Sequence, residues 1–111
     1  MPLVTVYTHE MIKERAEVKR FMASFRRGIR TAVIEALVVK NVVLIEVPAR
    51  GELDIFIDIS GNFQEWRNNK DLAERHQQIG AWVKKTARGV GMKSNLIQLR
   101  LSLAHVEYSR L

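Results

Sequence analysis

Apolar positions along this chain alternate between a period of two and a period near 3.6, and each change of period marks an element. Residues 3–7, LVTVY, are β-branched and aromatic and predict a short strand. From Met11 the spacing changes. Val18, Phe21, Met22, Phe25, Ile29, Ala32, Val33, Ala36 and Leu37 recur at helical intervals and predict one amphipathic helix over roughly residues 11–38. Residues 42–47, VVLIEV, predict a second strand, and Pro48 and Gly51 predict a tight connection after it. Residues 53–60, LDIFIDIS, alternate strictly, with Leu53, Ile55, Ile57 and Ile59 on one face and Asp54, Phe56, Asp58 and Ser60 on the other. Leu72, His76, Ile79, Val83, Ala87 and Val90 mark a second helix, which Gly89 and Gly91 end. Residues 95–103, NLIQLRLSL, predict a fourth strand with Ile97, Leu99, Leu101 and Leu103 turned towards the helices. The final AHVEYSRL is expected to add a short strand or to lie on a neighbour.

The element string is βαββαβ, a doubled βαβ unit. Strand 41–47 is similar to strand 95–101, and pseudo-repeats are expected over about 2–50 and 53–107 of one domain spanning residues 1–111. The fold class expected is α/β in the two-layer α+β sense, a four-stranded sheet with two long helices on one face. Two architectures share the string: the ferredoxin-like fold, and two parallel βαβ units joined edge to edge. The other sheet face would carry Asp58, Arg100, Gln98 and Phe56, with Asp58 able to pair with Arg100 across strands.

Composition narrows the picture only in part. The 111 residues contain no cysteine, which excludes disulfides and thiolate metal sites. No apolar run approaches ~18 residues, so no membrane-spanning helix is expected. The first strand starts almost at once, so a cytoplasmic protein without a secretion signal is the expectation. The net charge of +6 suits anionic partners, from small carboxylates to nucleic acid, without choosing among them.

The remaining feature is the start, MPLVTVY. Proline is tolerated as the first residue of a strand. It is also small enough for the initiator methionine before it to be removed, which would expose a secondary amine. Met-Pro followed by alternating apolar residues, Glu10, the long helix and the VVLIEV strand resemble the tautomerase superfamily. The likeness is to its longer, doubled members, of the 5-carboxymethyl-2-hydroxymuconate isomerase and macrophage migration inhibitory factor type. That resemblance implies a homotrimer with its sheets around a central barrel, no cofactor, and Pro2 as general base or acid on a small oxo-acid. The family's cations do not carry over. Where short members have an arginine soon after the glutamate, this chain has Ile12, with Lys13 and Arg15 beside it. Where they have one in the second strand, it has Val43, with Lys40 nearby but out of register. Substrate binding therefore falls to Arg100, Gln98, Lys13 and Lys40. Arg100 is the best substitute cation, on the outer face of the last strand, and Gln98 shares that face.

Other residues have simpler explanations. Lys19, Arg20, Arg26, Arg27 and Arg30 flank the apolar stripe of the first helix and are expected in solvent. Lys84, Lys85 and Arg88 suit a helix C-terminus. Nucleic-acid binding by the basic helix, in a non-catalytic ferredoxin-like module, is the alternative function. It is disfavoured because no aromatic residues interleave the charge. Three scattered histidines, His9, His76 and His105, have no metal-ligand spacing. Asp54 and Asp58 lie about 13 Å apart along a strand, too far to act on one bond.

Overall fold

The computed structural model describes residues 2–49, 54–62 and 72–104. Strand β1, Leu3–His9, is followed by helix α1, Ala16–Leu37, and strand β2, Val43–Ala49. Strand β3, Ile55–Asn62, is followed by helix α2, Leu72–Gly89, a single 3-10 turn at Ser94–Leu96, and strand β4, Ile97–Ala104. The sheet order is β2-β1-β3-β4. β1 is parallel to β2, β3 is parallel to β4, and the two units meet antiparallel along β1 and β3. In the ferredoxin-like fold, a split βαβ, another strand separates the two strands of each unit. Here they are neighbours, so the second of the two architectures is the observed one.

Alternation decides what each face of the sheet does. Val4 and Val6 of β1, Ile55, Ile57 and Ile59 of β3 and Leu101 of β4 are buried beneath the helices. Their counterparts from α1 are Val18, Phe21, Phe25, Ile29 and Val33, the stripe expected from the spacing, with Phe21 and Phe25 stacked at 5.6 Å. The two helices run antiparallel. Gly28 of α1 meets the Trp82 indole of α2, and Arg20 donates to the carbonyl of Val90. A Cβ at Gly28 would lie 2.6 Å from the Trp82 ring, so this crossing needs glycine despite its helix cost.

Four details differ from the sequence expectation. The first helix begins at Ala16, not near residue 11. The amides of Ile12 and Lys13 bond the His9 carbonyl, and the Met11 amide bonds His9 Nδ1, so these residues form a turn. Ile12 plugs the end of the core from that turn. Pro48 does not end β2: the strand runs on to Ala49, which an edge strand permits because its outer amides need no partner. On α2 the buried first-turn position is Arg75, while His76 is exposed and Leu72 is 47% exposed. Ile79, Val83 and Ala87 are buried as the spacing predicts, and Arg75, four residues before Ile79, takes the buried first-turn position in place of Leu72 and His76. The fourth strand starts at Ile97, after the 3-10 turn. Gly51, Leu53 and the tail after residue 104 lie outside the described residues.

Helix α1 ends on Val38, at φ 54° and ψ 56°, with its amide bonded to the Ile34 carbonyl. This left-handed cap is normally a glycine position, and a β-branched residue there is strained. Val38 is also 56% exposed, so its side chain contributes little burial. Val38→Gly is therefore expected to raise stability by about 0.5–1 kcal/mol, read as a higher denaturation midpoint. An unchanged or lower midpoint would contradict the strain.

Candidate active site

Pro2 sits one step before β1, on the helix-facing side of the sheet, and is buried. Its carbonyl accepts a hydrogen bond from the Val43 amide at 3.0 Å, which extends the β1–β2 ladder by one residue. On its other flank is Gly61. The Pro2 ring carbons lie 3.7 and 3.8 Å from where a Cβ on Gly61 would stand, and Leu103 Cδ2 is 3.3 Å from the same point. Gly61 pairs with Leu103. The row across the sheet at this level is thus β2, Pro2, Gly61, Leu103, and the missing side chain of Gly61 is the space the proline ring packs against. Three strands fix Pro2, and two of them, β3 and β4, end here.

Lys40 is the candidate cation at this end of the sheet. It is exposed on the α1–β2 connection, three residues before Val43, so its backbone is within about 10 Å of the Val43 amide that holds Pro2.

Arg100 and Gln98 are on the other face. Strand register arranges that face in rows: Ile45, Thr5, Asp58 and Arg100 in one, Val47, Tyr7, Phe56 and Gln98 in the next. Arg100 donates from Nε and Nη2 to the two carboxylate oxygens of Asp58, at 3.0 and 2.9 Å. Its guanidinium stands 5.6 Å above the Phe56 ring, and Phe56 stacks on Tyr7 at 5.8 Å. The hydrogen bonds to Asp58, and then its charge, raise the Arg100 pKa above its ordinary value. From Pro2, Arg100 is two strands across, about 10 Å, and three residues along, about 10 Å more, on the opposite side of the sheet. One chain therefore keeps Arg100 and Gln98 away from Pro2.

Lys13 is at the far end of the sheet, on the turn after β1. It lines a cavity of about 440 Å³ between α1 and the β2 edge, with Thr8, Met22, Arg26, Glu46 and Pro48. Within that cavity Arg26 grips both Glu46 oxygens, at 2.6 and 2.7 Å. The Arg26 hydrogen bonds hold the Glu46 carboxyl below the ordinary carboxylate value, against a smaller opposing effect of burial.

A further cavity went unread in the sequence. It holds about 910 Å³ between α2 and the β4 edge, lined by His76, Lys84, Ser94, Val83, Ile97 and Leu99. His76 Nε2 lies 3.1 Å from the Leu99 carbonyl and so covers part of the open strand edge. The signal that would have found it is the four-residue step through Arg75, which turns His76 outward. No cluster of His, Asp or Glu among the described residues can hold a metal ion. No helix among them is long and apolar enough to cross a membrane.

Known proteins share this arrangement. No protein-family model and no curated protein sequence matches the chain. Among solved structures, a malonate semialdehyde decarboxylase inhibited by 3-bromopropiolate aligns over 93% of this chain and 83% of its own, with a TM-score of 0.58 and 10% identity. A member of the cis-3-chloroacrylic acid dehalogenase family aligns over 98% and 82%, with a TM-score of 0.57 and 12% identity. A fused 4-OT, solved as an asymmetric trimer, aligns over 97% and 91%, with a TM-score of 0.58 and 13% identity. The chain has the fold that these three structures share. At such identities the likeness is one of fold.

The Arg26–Glu46 pair makes a pH-dependent contribution with a definite sign. A carboxyl whose pKa is lowered by folding stabilises the fold above its unfolded value, about 4.5, and loses that contribution as pH falls through the lower folded value. Both side chains are partly exposed, so the pair is worth at most about 1 kcal/mol. Denaturation midpoints should show Glu46→Gln less stable than wild type at pH 7, with the gap closing below about pH 4.5. A gap that stays constant or widens in acid would refute this.

Proposed function

We propose that this protein is a cofactor-independent tautomerase or isomerase in which Pro2, made amino-terminal by loss of Met1, moves a proton on a small oxo-acid. The observation that carries this reading is the seat of Pro2. It is buried at the head of a central strand, held by the Val43 amide and fitted against the bare backbone of Gly61. A solvated strand terminus would need none of this.

The chemistry follows from that seat. The proline nitrogen, once free of Met1, is a secondary amine with one lone pair. Burial disfavours its protonated, charged form, so a neutral base is favoured there near pH 7. Such a base can take a proton from the carbon next to a carbonyl and return it to another carbon or to oxygen, which interconverts enol and keto forms. Lys40, at the same end of the sheet, is placed to attract the substrate carboxylate and to disfavour a second positive charge on the amine.

Arg100, Gln98 and Lys13 complete the binding set only in an oligomer, because one chain holds them apart from Pro2. The bare sheet face supports assembly as a homotrimer. It carries Val43 and Ile45, 40% and 44% exposed, beside the Tyr7–Phe56 stack and the Asp58–Arg100 pair. Fused 4-OT, which shares the fold, is a trimer.

Two variants test the reading against a panel of small 2-oxo acids, by following the loss of enol absorbance. Pro2→Ala should keep the fold and the oligomer and lose at least about a hundredfold in rate, the usual range for a missing general base. Lys40→Gln should mainly raise KM. Full activity in Pro2→Ala, which keeps a primary α-amine, would remove the proline secondary amine from the mechanism.

A further inference from the structure

The helix layer, on the side of the molecule away from the bare sheet face, carries a groove with a charge pattern that the proposed chemistry does not use. The groove lies between α1 and α2 and holds about 470 Å³. Its walls include Arg27 and Ser24 from α1 and Lys85 and Thr86 from α2, and the Trp82 indole lies between them. Arg20 enters the same seam, donating to the Val90 carbonyl at 3.3 Å, and Arg88 lies one turn beyond Lys85.

These cations are uncompensated. Arg27 bonds only the Ser24 hydroxyl, at 3.4 Å. None of Arg20, Arg27, Lys85 and Arg88 forms an ion pair with a described residue, and no described carboxylate lines the groove. Elsewhere on α1, Arg26 holds Glu46 and Lys19 holds Glu14, while Arg30 forms no ion pair with a described residue. What sets the groove apart is that its unpaired cations share one seam with no described carboxylate in its lining.

Geometry gives the unpaired charges an order. The antiparallel contacts Gly28–Trp82 and Arg20–Val90 fix the alignment of the helices. Read along the groove, the sequence is Arg20, Arg88, Lys85, Arg27, spread over about two helical turns, or about 10 Å. That is the span of about three stacked nucleotides at about 3.4 Å each. Arginine forks suit phosphate oxygens better than a compact ammonium does. A half-buried indole beside them adds the aromatic surface whose absence from the sequence pattern argued against nucleic acid.

We infer that the α1–α2 groove docks single-stranded nucleic acid, with backbone phosphates along Arg20, Arg88, Lys85 and Arg27 and the Trp82 indole beneath. A single strand can lie along a seam between two packed helices, whereas a duplex can only rest on its rims. The groove is on the helix side and the bare face is on the other, so assembly through the sheet leaves the groove open. The inference therefore stands whether or not Pro2 is catalytic.

Fluorescence anisotropy of the full chain with a labelled single-stranded oligonucleotide tests it, with a duplex of the same length and poly-glutamate as the other probes. Binding should weaken with salt, with a log–log slope of about −2 to −3 for three to four phosphates on a single strand. Arg27→Gln with Lys85→Gln should weaken binding at least several-fold and flatten the slope by about 1.4. Lys84→Gln, one charge removed on the opposite flank of α2, should do much less than Lys85→Gln alone. No binding at about 50 mM salt would overturn the inference. So would equal loss in Lys84→Gln, which would mean diffuse net charge. Duplex or poly-glutamate binding as tight as the single strand would overturn it too, giving the groove a different partner.

Discussion

Strand β1 is the constraint on which the rest of the molecule depends. With β3 it forms the centre of the sheet, parallel to β2 on one side and antiparallel to β3 on the other. Val4 and Val6 on it are wholly buried and fix which face meets the helices. Because side chains alternate, a slip of one residue would turn that face to solvent. The same parity puts Pro2 on the helix side, level with Gly61 and Leu103. The position of the proline ring is thus a consequence of core packing and not of any interaction local to the terminus.

A second consequence is the division of labour between the two sheet faces. Helices cover one face. The other displays Tyr7, Phe56 and the Asp58–Arg100 pair in the rows set by register. A bidentate pair on an open sheet contributes little stability while it remains in water. Its weight rises if another copy covers it. Arg100 then has two possible partners, Asp58 of its own chain and an anion from outside, and its value as a substrate cation depends on that competition. The helix layer takes no part in this arrangement.

Much of the fold was legible in the sequence, because its large elements rest on periodicity. The α1 stripe from Val18 to Leu37 and the Ile55, Ile57, Ile59 alternation emerge in the structure as read. Strand order was not legible, since a βαββαβ string has the same periods in either arrangement. The start of α1 was misplaced because Ile12 is apolar at a helical interval yet sits on a turn held by His9. The first turn of α2 was misread because Arg75, a charged residue, occupies its buried position, while Ile79, Val83 and Ala87 are buried as read. For the site, the sequence offered Pro2 as a candidate amine but not its surroundings. Its seat depends on Gly61 and Leu103, which are brought beside it by strand pairing that no local pattern encodes. The Asp58–Arg100 pair was foreseeable once both strands were assigned faces. The placing of Trp82 between Arg27 and Lys85 was not, because it depends on the crossing at Gly28.

The most direct test of this account is the pKa of the amino-terminal amine, from an NMR titration of protein labelled at the proline nitrogen, once mass has shown that Met1 is gone. The account predicts a value pulled down towards neutrality, below the about 7.7–8.0 of an ordinary α-amine, because the buried seat disfavours charge. An ordinary basic amine, or a retained Met1, would contradict it and leave Pro2 as the first residue of a strand.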